Sequence, residues 1–210
     1  MANQNGQIYG LTILSPIMQG DSKDLAHATA IRFYLASQPR DRHSPLARVT
    51  GTHQARLVVM DDVVYVGAPA CEEHLKSRYL VFESNFDGDL DAYLIRLATE
   101  AREFVDSVWR HCVGYPGVGD PQAFAAYMKK CQVTTTFYFA DVNDSTVEQN
   151  LRALQTQSAL AKFIERHQGE QPAIIQKSLG EFLENLRRAP APQPGGDSSH
   201  RTPQENRPHD

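Results

Sequence analysis

Apolar residues recur along this chain with two periods. Residues 8–15, IYGLTILS, are rich in β-branched and aromatic side chains and stop at Pro16, as a strand does. The loop MQGDSKD follows, with helix-capping chemistry at Asp21 or Ser22. Residues 24–37 read as a helix, with Leu25, Ala28, Ile31 and Leu35 near one face. Residues 52–61, THQARLVVMD, predict a second strand: His53, Ala55, Leu57 and Val59 point one way, and Gln54, Arg56, Val58 and Met60 the other. Residues 78–84, RYLVFES, predict a third. NFDGD then makes a sharp turn in which Gly88 is free to take a positive φ.

The strongest helical signal starts at Asp89, a good N-cap. Leu90, Tyr93, Leu94, Leu97, Ala101, Phe104, Val105, Val108, Trp109 and Cys112 repeat at helical spacing over about six turns. Gly114, Pro116 and Gly117 end it. Asp120-Pro121 opens a short helix whose buried face is Phe124, Tyr127, Met128 and Cys131. Residues 132–141, QVTTTFYFAD, predict a fourth strand. Two helices follow at 145–167, with Val147, Leu151, Leu154 and Ile164 inward, and at 173–188, with Ile175, Leu179, Phe182 and Leu186. From Ala189 the composition turns to proline, glycine and polar residues, which cannot offset chain entropy by burial. The expected layout is a flexible stretch at 1–7, one domain at 8–188 and a disordered tail at 189–210.

The element order is that of a ferredoxin-like βαββαβ fold of the α+β class, one antiparallel sheet with its crossover helices on one face, followed by extra C-terminal helices. Both faces of strands two and four keep apolar residues, with Val58 and Met60 set against Leu57 and Val59. The helix-free face is therefore expected to be covered, and a second copy of the chain is the favoured cover.

Composition narrows the function classes. A net charge of -4 over 210 residues offers nothing to a phosphate backbone, so no nucleic-acid partner is expected. No apolar run is long enough to span a bilayer, and MANQNGQIYG lacks the features of a signal peptide. Three widely spaced cysteines, Cys71, Cys112 and Cys131, argue against a disulfide framework and for a reducing, cytoplasmic setting. A Walker loop, GxGxxG after a strand, HExxH, CxxC and GxSxG are all missing from the sequence. Nucleotide, zinc and serine-hydrolase chemistries are disfavoured, and no metal site is expected.

The layout of residues 8–168 resembles the dimeric α/β-barrel group, ferredoxin-like domains that pair sheet against sheet. The string Ser84-Asn85-Phe86-Asp87-Gly88 resembles the GxxDG motif of dye-decolourising peroxidases, with Ser84 where the first glycine would stand. That resemblance implies haem, Asp87 as the distal acid–base group, Arg56 as a charge stabiliser, and His111 or His167 as the axial ligand. A turn followed by a helix cap explains the same string without cofactor.

Read from the residues themselves, His53 is a hydrogen-bonded edge histidine or a general base at a pocket mouth. Arg56, a charge between apolar neighbours, pairs with Glu83 or clamps an anion. His53 and Arg56 face opposite sides of the sheet unless a bulge intervenes. Thr12, Thr136 and Tyr138 are expected on the helix-free face as a mildly polar ligand patch, and Tyr115 is a further ligand-binding candidate. His111 lies off the buried stripe and caps the helix end. Three functions stay open: a small-molecule-binding domain of the dimeric barrel type, extending to a nucleotide-independent enzyme on an apolar or aromatic substrate; a non-catalytic assembly protein; and a haem oxidoreductase.

Overall fold

The strand Ile8–Pro16 (β2) buries Leu11, Ile13 and Ser15 while Thr12, Leu14 and Pro16 stay partly open, so alternation from Leu11 onward selects its inner face. In the computed structural model it pairs antiparallel with Tyr79–Asp87 (β6), which buries Leu80, Phe82, Ser84 and Phe86 on the same side. Thr52–Met60 (β5) pairs antiparallel with the far side of β6, and Gln4–Asn5 (β1) with the near end of β2. The sheet order is β1-β2-β6-β5, and a separate two-residue ribbon joins Asp21–Ser22 (β3) to Leu25–Ala26 (β4). The structure describes residues 3–22, 25–63, 67–68 and 73–190. Cys71, the expected helix start at 24 and residues 191–210 of the expected tail lie outside them. The sheet begins ahead of the expected Ile8, at Gln4, and β6 runs on through Asn85, Phe86 and Asp87, which were expected in the turn.

Helices cover the inner face. The first, His27–Ser37 (α1), buries Ala28 and Ile31; it opens after Ala26, later than the start expected near Asp21 or Ser22, and Ala26 supplies no side-chain cap. The stripe expected to form one long helix is two, Leu90–Glu100 (α2) and Arg102–Trp109 (α3), parted at Ala101, whose φ of -116° and ψ of 32° leave the helical region. Thr99 lies just before the break and turns its hydroxyl back onto the Ile95 and Arg96 carbonyls, a bond that competes with regular helix geometry. The apolar stripe survives the break, because Leu97, Ala98, Ala101, Phe104 and Val105 are all buried. Asp89 caps α2 through Ala92 N–H, and Asp120 caps Pro121–Lys130 (α4) through Gln122 and Ala123 N–H, as expected. Trp109 sits at the centre, edge-on to Phe82 and Phe124, with its indole N–H donating to Ser15 Oγ at 3.2 Å.

The expected fourth strand does not form. QVTTTFYFAD runs as irregular chain and meets the sheet at a single bridge, Ile13 to Gln132. The cause is competition for the free edge of β2. Asn3 takes the Gly10 position, accepting Gly10 N–H on its carbonyl at 2.8 Å and donating its amide to Gly10 O at 3.0 Å. At the other end Met18 N–H bonds His111 O and Val113 N–H bonds Pro16 O, 2.9 and 2.8 Å. Only residues 12–14 remain, and Cys131 and Val133 fill them, through Leu14 N–H to Cys131 O and Val133 N–H to Thr12 O. The chain beyond Val133 then crosses the helix-free face, where the Tyr138 ring lies against Gly10 and its hydroxyl bonds Asn85 Oδ1 at 3.1 Å.

The last two helices, Val147–Arg166 (α5) and Pro172–Arg188 (α6), bury no residue, contrary to the inward faces expected of them. Leu154 is 60% exposed and Ile164 53%. They touch each other through Phe163 and Phe182, ring centroids 4.9 Å apart. No helix among the described residues is long and apolar enough to cross a membrane.

A Cβ on Gly10 would lie 2.6 Å from the Tyr138 ring. Gly10→Ala is expected to lower stability by about 1–3 kcal/mol in urea unfolding. In a Tyr138→Ala background the same change is expected to be neutral or stabilising, as for any glycine in a strand. Equal costs in both backgrounds would show that the crossing segment does not rest on Gly10.

Candidate functional site

Two of the three residues expected to carry chemistry meet at one end of the sheet. Between Thr52 and Gln54 the β5–β6 register slips by one residue, a bulge at His53. That slip is the bulge on which the facing of His53 relative to Arg56 depends. Its Nε2 bonds Asp87 Oδ1 at 2.6 Å, both side chains being about one-sixth exposed. Arg56 pairs with Glu83 on the same strand β6, in the open. Glu83 and Asp87 are four residues apart and so share one side of β6, and the bulge gives His53 and Arg56 carboxylate partners on that side.

Asp87 ties three pieces of chain together. Its Oδ1 holds His53, its Oδ2 accepts Val147 N–H at 2.8 Å at the start of α5, and its own N–H bonds Gly51 O at 2.9 Å. Glycine suits position 51 because its φ is +85°, a conformation that strains any residue with a side chain. The carboxylate fixes the His53 ring by one nitrogen and leaves Nδ1 for other work, the arrangement of a general base or of an oriented donor. Among the described residues no hydroxyl or thiol is hydrogen-bonded to His53.

The His53–Asp87 pair stands between two clefts. His53 borders a groove of about 750 Å³ between α1 and β5, floored by Leu35, Leu57, Val59 and Phe104. Asp87 borders a second cleft of about 940 Å³, with Arg48 and Arg96 on one side and Val147 and Leu151 on the other. Arg96 donates to Thr50 O at 3.2 Å and lies over the Tyr93 ring. Tyr93 itself is buried, its hydroxyl held between Ser84 Oγ at 2.7 Å and Thr52 Oγ1 at 3.2 Å; burial raises its pKa.

The expected ligand patch divides. Thr12 and Tyr138 share the helix-free face, but Thr12 lends its carbonyl to Val133 and Tyr138 is tied to Asn85; Thr136 is exposed on the irregular segment between them. Tyr115 belongs to the opposite layer, packed edge-on against Phe124 and Tyr127, with its hydroxyl donating to Asp106 Oδ1 at 3.2 Å. Burial raises the Tyr115 pKa, with the Asp106 charge adding to it. The Cys112 thiol is pushed up to about 12 by burial, and so stays protonated at neutral pH.

His111 was expected off the buried stripe, yet it is only 9% exposed. Its partner is His27, which no sequence pattern singles out; the rings meet Nδ1 to Nδ1 at 3.0 Å. The nitrogens come together because His27 opens α1 and His111 follows α3, and Met18 N–H bonds the His111 carbonyl. His167 closes α5, bonded to Glu170 at 2.6 Å. The groups required by the haem resemblance do not converge. Asp87 borders the Arg48–Arg96 cleft, while His27, the partner of His111, borders a separate hollow of about 310 Å³.

The histidine pair is sensitive to acid. One ring donates and the other accepts, so a second proton on the accepting nitrogen breaks the bond. Burial, then the charges of His27 and Arg110, lower the His111 pKa. The unfolded chain therefore takes up a proton near the ordinary histidine value of about 6.5 before the folded chain does. The stabilisation is complete above that value and is lost as pH falls from it through the lowered folded value. The urea midpoint is expected to fall between about pH 7.5 and about pH 5.5, and to fall less in His111→Gln. The same slope in the variant would remove the pair as its source.

Set against protein-family models, curated proteins and solved structures, the chain matches none.

Proposed function

We propose that this chain is an assembly protein, a self-associating α+β module whose C-terminal helical hairpin pairs with that of a second copy. The observation that carries it is a hairpin that buries nothing, although it is apolar on two sides. Phe163 and Phe182 face each other across it. Leu154, Leu160 and Ile164 fall within one 120° sector of α5 at about 100° per residue, and all three are exposed. On α6, Leu179 and Leu183 lie one turn apart and are also exposed. Phe137 and Phe139, on the segment leading to the hairpin, are 83% and 66% exposed. Exposed large apolar side chains that cluster in this way mark an interaction surface.

A second copy suits this surface better than another partner. The charges flanking the stripe are of mixed sign, Arg152, Lys162 and Glu165 on α5, Lys177, Glu181 and Arg187 on α6, so two hairpins meet without a single-sign field. Two such hairpins form a four-helix bundle, which buries each stripe against the other. The ferredoxin-like reading is kept in the same proposal. The strand order β2-β6-β5, with Gln132 bridging the other edge of β2, supports it, and the helix-free face around Val58 and Val81 is then open for sheet pairing of the dimeric barrel kind.

The full chain at tens of micromolar is expected to sediment as a dimer. Ile164→Glu with Leu183→Glu is expected to raise the dimer dissociation constant at least about tenfold. Ellipticity and the unfolding of the sheet domain should stay unchanged. A wild-type chain that sediments as a monomer at that concentration would overturn the reading.

A further inference from the structure

We infer that the groove between α1 and β5 is a binding site for a small amphipathic carboxylate, an apolar chain or ring ending in a single acid group. This site is distinct from the hairpin surface, and neither depends on the other. Its floor is made by the core residue Phe104 and by Leu35, Leu57 and Val59, which pack against the core from its margin. Its volume, about 750 Å³, lies in the range of clefts that hold small ligands.

Charge decides the class of ligand. The chain carries a net charge of -4, yet among the described residues no aspartate or glutamate lines this groove. Two arginines do. Arg32 is committed to Asp61 and also donates to Val59 O at 3.3 Å. Arg40 has no partner among the described residues. It leaves an exposed guanidinium at the mouth of an apolar cleft, in the planar donor geometry that suits a carboxylate. The polar groups at the β5 end are His53 and Gln54, with Ser44 and Thr52 beside them. The His53 ring is already oriented by Asp87. Among the described residues β5 is the outer strand of the sheet, so its outward N–H groups add further donors. Among the described residues the only carboxylates at hand, Asp61 and Asp87, are already paired with Arg32 and His53, so a cation finds no free counter-charge, and a wholly apolar molecule leaves Arg40 unused.

The test titrates the full chain with decanoate while following side-chain methyl resonances, and repeats it with decyltrimethylammonium, which has the same chain and the opposite charge. Decanoate is expected to shift the methyls of Leu35, Leu57 and Val59 saturably and to leave those of Leu154 and Ile164 in place. The cation is expected to shift neither set. Arg40→Glu, at an exposed position that leaves the core untouched, is expected to weaken decanoate about tenfold or more. Three results would overturn the site: shifts confined to the hairpin methyls, equal binding of the cation, or full affinity in Arg40→Glu.

Discussion

The free edge of one strand governs the rest of this structure. β2 offers its outward N–H and C=O groups over nine residues, and unpaired groups of this kind must find partners or water. Three separate pieces of chain share them: Asn3 and β1 at one end, residues 111–113 at the other, and 131–133 between. A continuous fourth strand has nowhere to pair. The segment that follows leaves the sheet edge, crosses the helix-free face over Gly10 and delivers α5 to Asp87.

Asp87 is the second consequence of that path. It closes β6, receives the start of α5 on one oxygen and fixes the bulged His53 on the other. The bulge turns His53 to a carboxylate and sets it on the wall of the α1–β5 groove. Beyond this tie the hairpin is left to its own contacts, which explains why its apolar side chains remain exposed. The proposals for assembly and for ligand binding both start from these two departures from regular pairing, one at each edge of the sheet.

Much of the fold was legible because it depends on local pattern. The period-2 runs of β2, β5 and β6 name their own inner faces, and the Asp89 and Asp120 caps announce their helices. The arginine at 56 between apolar neighbours pointed to Glu83. Long-range competition was not legible. QVTTTFYFAD has the composition of a strand, and only the occupation of the β2 edge by Asn3 and Val113 excludes it from one. The break at Ala101 likewise leaves no mark on the apolar stripe, since the residues on both sides stay buried. His27 carried no signal because its partner lies 84 residues away. The bulge at His53 was recognisable only as a condition: without it the histidine faces away from Arg56, and a one-residue slip reverses a strand's facing.

The division of the β2 edge is tested most directly by amide hydrogen exchange of the dilute chain, residue by residue. Leu14, Met18, Val113 and Val133 are expected to exchange slowly, at the level of β6, since each donates to a named carbonyl or lies within the sheet. Thr134 and the residues from Thr136 to Ala140 are expected to exchange fast. Protection running unbroken from Gln132 to Asp141 would mean that a fourth strand does pair with β2, and would contradict the account.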